Sequence, residues 1–214
     1  MSLFAWLARE PAIDDRRWVV VDVEASGLDA ARDRLLAIAA IAVRVPEAGA
    51  PLVDLGDSFE VVLRQHEATL DKPNILLHGI GIGAQRAGVE PYEALAAFVR
   101  WVARSPLVAF HAAFDETMIG RALRAAGRPP LGNPWVDLAQ VAEVARPEQR
   151  AKSLDEWLGA FGIEVAVRHQ AAADTLATTE LLLRLWPDIR AQRASSGFKG
   201  LQELAAHRRW LRST

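Results

Sequence analysis

The sequence predicts an α/β domain with a mixed β-sheet covered by helices. Three strand-like apolar runs come first, at 17–23, Leu35–Val45 and Ser58–Leu63, and form a meander. A short apolar strand, Pro106–Phe110, then alternates with helical stretches, the pattern of a sheet with helices packed on it. With 214 residues, 51% of them apolar, the chain fits one domain with additions and can bury a sizeable core.

Taken in order, residues 1–16 read as a short amphipathic helix. The 17–23 strand ends at the acids Asp22 and Glu24. The cluster Pro46–Pro51 is a turn between the second and third strands. Residues 67–79 read as a connecting segment with a short helix broken by Pro73. Pro91–Ala103 places Tyr92, Leu95, Phe98, Val99 and Val102 on one helical face. Ala113–Ala126 is a helix closed by Gly127, and Trp135–Val136 a short edge strand. Helical stretches follow at 137–145, 153–161 and 171–185, with Pro187 ending the last. Ser195–Gly197 reads as a hinge before a final helix, 198–211. This divides the chain into a domain of residues 1–187 and a basic extension of residues 188–214. The extension is either a helix folded back on the domain or a contact for nucleic acid or a partner protein.

Several classes are excluded. The longest apolar run, Leu35–Val43, is too short to span a membrane. The first residues lack the basic start and small-residue cleavage site of a signal peptide. The chain has no cysteine, which removes disulfides, thiolate metal sites and a cysteine nucleophile and is compatible with a cytoplasmic location. A net charge of −2 gives no overall field toward nucleic acid. The stretch Gly79–Ala84 fits a dinucleotide-binding spacing, but its strand is very short and no acid stands about twenty residues on. It reads as a loop and helix start. Trp18, Trp101, Trp157 and Trp186 lie in apolar periodic runs and read as core.

Chemistry concentrates in acids. Asp22 and Glu24 are one residue apart on a strand, so they project to the same face. Two crowded carboxylates repel unless something cationic lies between them. Asp115 follows the strand 106–110, and Asp174 lies five residues after His169. Ligands of such sheets gather beyond the carboxyl ends of strands, where Asp22, Glu24 and Asp115 all fall. Four carboxylates without cysteine suit hard cations, Mg2+ or Mn2+. Two such ions can clamp an in-line phosphoryl displacement, and a neutral His169 can take a proton from the attacking water.

These residues resemble the DEDDh 3′–5′ exonucleases, which include the proofreading epsilon subunit of bacterial DNA polymerase III. The first motif is Asp22-Val-Glu24-Ala-Ser-Gly27-Leu28, the second Ala112-Ala-Phe114-Asp115, and the third His169-Gln-Ala171-Ala-Ala-Asp174. His78-Gly79-Ile80 and Ser153-Leu154-Asp155 match further family segments. The resemblance covers roughly residues 17–186 and implies a ribonuclease H-like fold, a five-stranded mixed sheet flanked by helices. It implies two divalent cations held by Asp22, Glu24, Asp115 and Asp174, with Asp22 bridging. His169 would be the general base, and the products nucleoside monophosphates. Substrate contacts would come from Ala25, Ser26, Leu28, His78, His111 and Phe114, with Leu28 wedged near the terminal bases. Ala25 stands where many relatives have Thr, and Phe110-His111 where they have His-Asn. His111 is then a substrate contact or a buried histidine satisfied by backbone. The implied substrate is a single-stranded or frayed 3′ end of DNA. The alternatives are RNA under the same chemistry, or a polymerase-associated binding subunit with little catalysis. A DNA polymerase subunit is a partner candidate for the C-terminal extension.

Overall fold

The strand Arg17–Ala25 (β1) forms around the β-branched Val19, Val20, Val21 and Val23, and it lies in the middle of the sheet. The computed structural model describes residues 12–67, 72–192, 195 and 197–211. On one side β1 pairs antiparallel with β2 (Leu35–Arg44), which pairs antiparallel with β3 (Leu52–Val62). On the other it pairs parallel with β4 (Leu107–Ala109), which pairs parallel with β5 (Trp135–Asp137). The order is β3-β2-β1-β4-β5, the mixed five-stranded sheet of the ribonuclease H-like fold.

Eight described helices cover the sheet: α1 (Lys72–His78), α2 (Ile82–Ala87), α3 (Pro91–Val102), α4 (Ala113–Ala125), α5 (Leu138–Ala145), α6 (Leu154–Phe161), α7 (Ala171–Gln192) and α8 (Gly197–Leu211). The alternation of β1 sorts its residues between two cores. Val19, Val21, Val23 and Ala25 pack with Leu95 and Phe98 of α3 and Met118 and Ile119 of α4. Trp18 and Val20 pack on the opposite face with residues of α5, α6, α7 and α8. Asp22 and Glu24 continue the Trp18/Val20 side, so the hydrophobic pattern sets the face on which they emerge.

Four expectations change. Pro187 lies inside α7, which runs on to Gln192. The lost backbone donor is outweighed there by burial of Leu185, Trp186 and Ile189, which the helical path requires. The boundary expected at 187/188 therefore falls within a helix. Pro73 stands in the first turn of α1, where a missing N–H costs nothing, rather than breaking it. The helix start expected within Gly79–Ala84 is borne out, since α2 begins at Ile82. β3 begins earlier than Ser58, because its first part pairs with Ala42–Arg44 after a register shift. In the N-terminal segment, residues 12–16 are not helical, and the rest of the expected helix lies outside the described residues, as does part of the expected hinge.

The helix α8 folds back on the domain. Phe198, Leu201, Leu204 and Ala205 are buried, and Arg208 donates to both oxygens of Glu143 on α5 at 2.5 and 2.7 Å. The Phe198 ring meets Trp18 edge-on at 5.2 Å, and its amide donates to Asp15 Oδ1 at 2.7 Å. Gly197 has a φ of +68°, and a β-carbon there would collide with the Asp15 carboxylate, so this entry turn requires glycine. Trp18, Trp157 and Trp186 are buried as expected, and Trp101 is partly buried against the core. No helix among the described residues is long and apolar enough to cross a membrane.

Phe198→Ala should cost about 3–5 kcal/mol of unfolding free energy, the usual range for removing a buried phenyl ring. Urea denaturation measures it; a loss under about 1 kcal/mol contradicts the integration of α8 into the core.

Candidate active site

The site forms where β1 outruns its parallel neighbour. β4 ends at Ala109, so the last residues of β1 lack a partner on that side. Asp115, in the first turn of α4, fills the gap, near enough to the Val23 amide for it to favour the charged carboxylate. Asp115 is 4% exposed. On the other side, Asp22 and Glu24 stand opposite Ala39 and Ala37 of β2. Directly paired residues share a face, and these methyl groups leave open space beside the acids.

The helix α7 crosses this face of the sheet. The Thr175 hydroxyl donates to the Ala39 carbonyl at 3.2 Å, which pins the first turn of α7 over β2. The adjacent Asp174 is thereby held against Asp22 and Glu24. One ligand oxygen from each of Asp22, Glu24 and Asp174 lies within 4.8 Å of the others. Asp115 is outside that closest group, yet its charge acts on Asp22 and feels Glu24. The structure therefore brings all four acids together. Asp115 and Asp174 both sit at helix N-termini, where the helix dipole favours negative charge.

The crowding alters proton affinity. Burial first, then the charges of Asp115 and Glu24, push the Asp22 carboxyl well above its usual range. Burial raises Glu24 to about 7, with the Arg168 guanidinium acting in the opposite direction. Burial also raises Asp115, against the amide hydrogen bonds that favour its charged form. The donor set fits a hard divalent cation: oxygen ligands, partial burial, and a charge surplus that the fold leaves largely uncompensated. Asp22, Glu24 and Asp174 can hold such an ion, with Asp115 adjoining.

His169 lies in the loop before α7, at a φ of +60°, and its amide donates to Asp174 Oδ2 at 3.2 Å. This is the loop-end position that lets His169 and Asp174 share one site. His111 also has a positive φ, +62°, and its amide donates to Asp137 Oδ1 at 3.0 Å. Its side chain is exposed, which corrects the buried alternative, and its ring meets Phe110 edge-on.

The remaining expected contacts divide. Leu28 is 93% exposed, at the tip of the loop after β1. Ala25 is buried, and its carbonyl accepts from Asn74 of α1 at 3.1 Å. The Ser26 hydroxyl donates to Asp33 Oδ1 at 3.0 Å and accepts from the Arg34 amide at 2.9 Å, so it braces the loop. Gly27 packs against the same Asp33, where a β-carbon would lie 2.5 Å from a carboxylate oxygen. His78 is buried, and its Nδ1 accepts the Ile80 amide at 2.9 Å, fixing the turn after α1. Phe114 is half-buried against the α3/α4 core.

Sequence reasoning passed over Asp137 and Arg168. Asp137 ends β5, caps α5 through the Ala139 amide, holds the His111 backbone, and adds its charge near Asp115. Its signal was an acid between a short apolar run and a helix, an N-cap pattern. Arg168 precedes His169 and forms an ion pair with Asp174. A groove of about 830 Å3 lined by Tyr92, Arg64 and Arg121 lies between α3 and α4, and none of the four acids lines it.

Comparison with known proteins supplies the relationship. Residues 19–182 match the family model described as RNase_T: Exonuclease. The PolC-type DNA polymerase III of Bacillus cereus is 30% identical over 175 residues, covering 82% of this chain and 12% of that protein. The Bacillus subtilis counterpart is 28% identical over 185 residues, 86% of this chain and 12% of that protein. The chain thus spans only a small part of the length of these relatives. Among solved structures, the zinc-bound E. coli exonuclease I complex with single-stranded DNA superposes with a TM-score of 0.67 at 22% identity, over 83% of this chain and 43% of that one.

The linkage of Glu24 predicts the pH response of the metal-free protein. A carboxyl near 7 in the folded chain and 4.5 when unfolded binds its proton more tightly when folded. Its contribution to stability is full below 4.5 and lost as pH rises through about 7. Thermal melts in EDTA should therefore fall over that window, and Glu24→Gln should flatten the fall; an unchanged slope in the variant contradicts the assignment. The site observations and the family match agree: the chain belongs to the DEDDh 3′–5′ exonucleases of the ribonuclease H-like superfamily.

Proposed function

We propose that this chain removes nucleotides from the 3′ end of single-stranded or frayed DNA, releasing nucleoside monophosphates in a metal-dependent hydrolysis. The observation that carries this reading is the convergence of Asp22, Glu24 and Asp174, with Asp115 adjoining, at the carboxyl end of β1. The DNA substrate is supported by the exonuclease I complex with single-stranded DNA and by the polymerase relatives.

In this proposal Asp22, Glu24, Asp115 and Asp174 would hold two divalent ions, Mg2+ or Mn2+. Bound there, such ions neutralise the phosphate and make water a stronger nucleophile near neutral pH. The His169 amide bonds Asp174, and in this reading the His169 imidazole takes the proton as water attacks the terminal phosphorus. The bond from phosphorus to the 3′-oxygen of the preceding nucleotide breaks, and that oxygen gains a proton. Leu28, exposed on a braced loop, would wedge against the terminal bases, a role its exposure supports. Ala25 and Phe114 line the approach, and His111 contacts the strand from the α4 side. Ala25 offers its backbone rather than a hydroxyl to the 3′ end. A DNA polymerase partner would meet the outer face of α8, since the inner face serves the core.

Digestion of 5′-labelled oligonucleotides tests the reading. Single-stranded DNA should shorten stepwise from its 3′ end with Mn2+ or Mg2+ and not with EDTA. Absence of metal-dependent shortening overturns the proposal, and faster cleavage of RNA reassigns the substrate. Asp22→Ala should abolish turnover while the chain stays folded. His169→Ala should lower kcat by about 10²–10⁴-fold with little change in Mn2+ binding, the usual scale for a lost general base; an unaltered kcat at neutral pH removes His169 from that role.

A further inference from the structure

Arg168 stands among the site carboxylates yet belongs to none of the proposed ligand or base roles. One arm of its guanidinium is ion-paired with Asp174 Oδ1. Its Nε lies 2.5 Å from Asp155 Oδ1, in the first turn of α6. Its charge also favours the ionised forms of Asp22 and Glu24. These are the same acids whose ligand oxygens converge within 4.8 Å. Asp155 is mostly exposed, whereas Asp174 is 7% exposed, so the arginine bridges a wet carboxylate and a buried one. A guanidinium does not lose its proton in a protein, so this cation is permanent.

A divalent ion at these acids and a guanidinium on Asp174 repel each other and compete for the same carboxylate charge. The two arms give the side chain a route: it can leave Asp174 and keep its hold on Asp155. Resting on the functional reading above, we propose that Arg168 is the chain's own counter-cation for this site. It holds Asp174 in the metal-free protein, gives way when a divalent ion arrives, and stays anchored on Asp155. Arg168 is a positioning residue that sets the affinity of the site for metal and keeps the acids gathered until metal arrives.

Calorimetric titration with MnCl2 at pH 8.5, above the raised Glu24 value, separates the possibilities. Arg168→Gln should bind Mn2+ on the order of tenfold more tightly, because a unit charge next to the divalent ion is gone. The same variant should melt lower than wild type in EDTA, with a larger upward shift on adding Mn2+. Asp155→Asn, which removes the anchor and leaves Arg168 committed to Asp174, should bind Mn2+ several-fold more weakly. It also keeps the test decisive where Arg168→Gln does not fold. Unchanged or weaker Mn2+ binding by folded Arg168→Gln overturns the proposal. So does unchanged binding by Asp155→Asn. A raised KM for oligonucleotide with unaltered Mn2+ affinity in Arg168→Gln assigns the arginine to the substrate phosphate and overturns it as well. Failure of wild type to bind Mn2+ at all would sink the functional reading itself, an outcome distinct from these.

Discussion

Electrostatic repulsion among Asp22, Glu24, Asp115 and Asp174 is the constraint around which this structure is arranged. At about 4 Å, two like unit charges repel by roughly 1 kcal/mol in water and about 4 kcal/mol near a protein surface. Here burial adds a desolvation cost, and it is the first cause of the raised proton affinity of Asp22, Glu24 and Asp115. Such a cluster persists only where the surrounding fold over-determines it. The chain applies three local remedies: amides on Asp115, helix N-termini under Asp115 and Asp174, and the Arg168 guanidinium. None of them removes the surplus charge, which leaves a place for a stronger cation.

The scaffold meets this constraint with few devices. Alternation along β1 gives Trp18 and Val20 to the core and brings Asp22 and Glu24 out on the same face. The early end of β4 frees a backbone amide for Asp115. The Thr175 bond to Ala39 fixes α7 against the sheet, so Asp174 arrives above β1. Packing of Trp18 against Trp186 of α7 and Phe198 of α8 ties the far ends of the chain to the same strand. The buried Arg17, bonded twice to Asp57 at 2.7 Å and once to Ser105, secures the opposite end of β1. Rigidity at both ends of one strand thus holds the acids in register.

Much of this was legible from residues alone. The alternation at Trp18–Glu24 and the apolar run before Asp115 placed three acids at strand ends, and the spacing of His169 and Asp174 required a loop-end histidine. Pro187 misled because a local rule about proline yielded to burial of the residues around it. The bracing of Ser26 by Asp33 and the holding of His111 by Asp137 depend on contacts seven and 26 positions apart, which no local pattern encodes. Arg168 was hidden for another reason. A basic residue beside a motif reads as a solvated charge until the packing of α6 and α7 shows which acids it faces.

The central claim is that these acids are held together for a divalent cation, which displaces the proton that burial favours on Glu24. Proton release on Mn2+ binding measures this directly, by calorimetry at pH 7 in buffers of different ionisation enthalpy. The account predicts that Mn2+ binds and that a substantial fraction of a proton leaves per chain, with release diminishing toward pH 9 as Glu24 is already ionised. Binding without proton release at pH 7, or no binding, would contradict it.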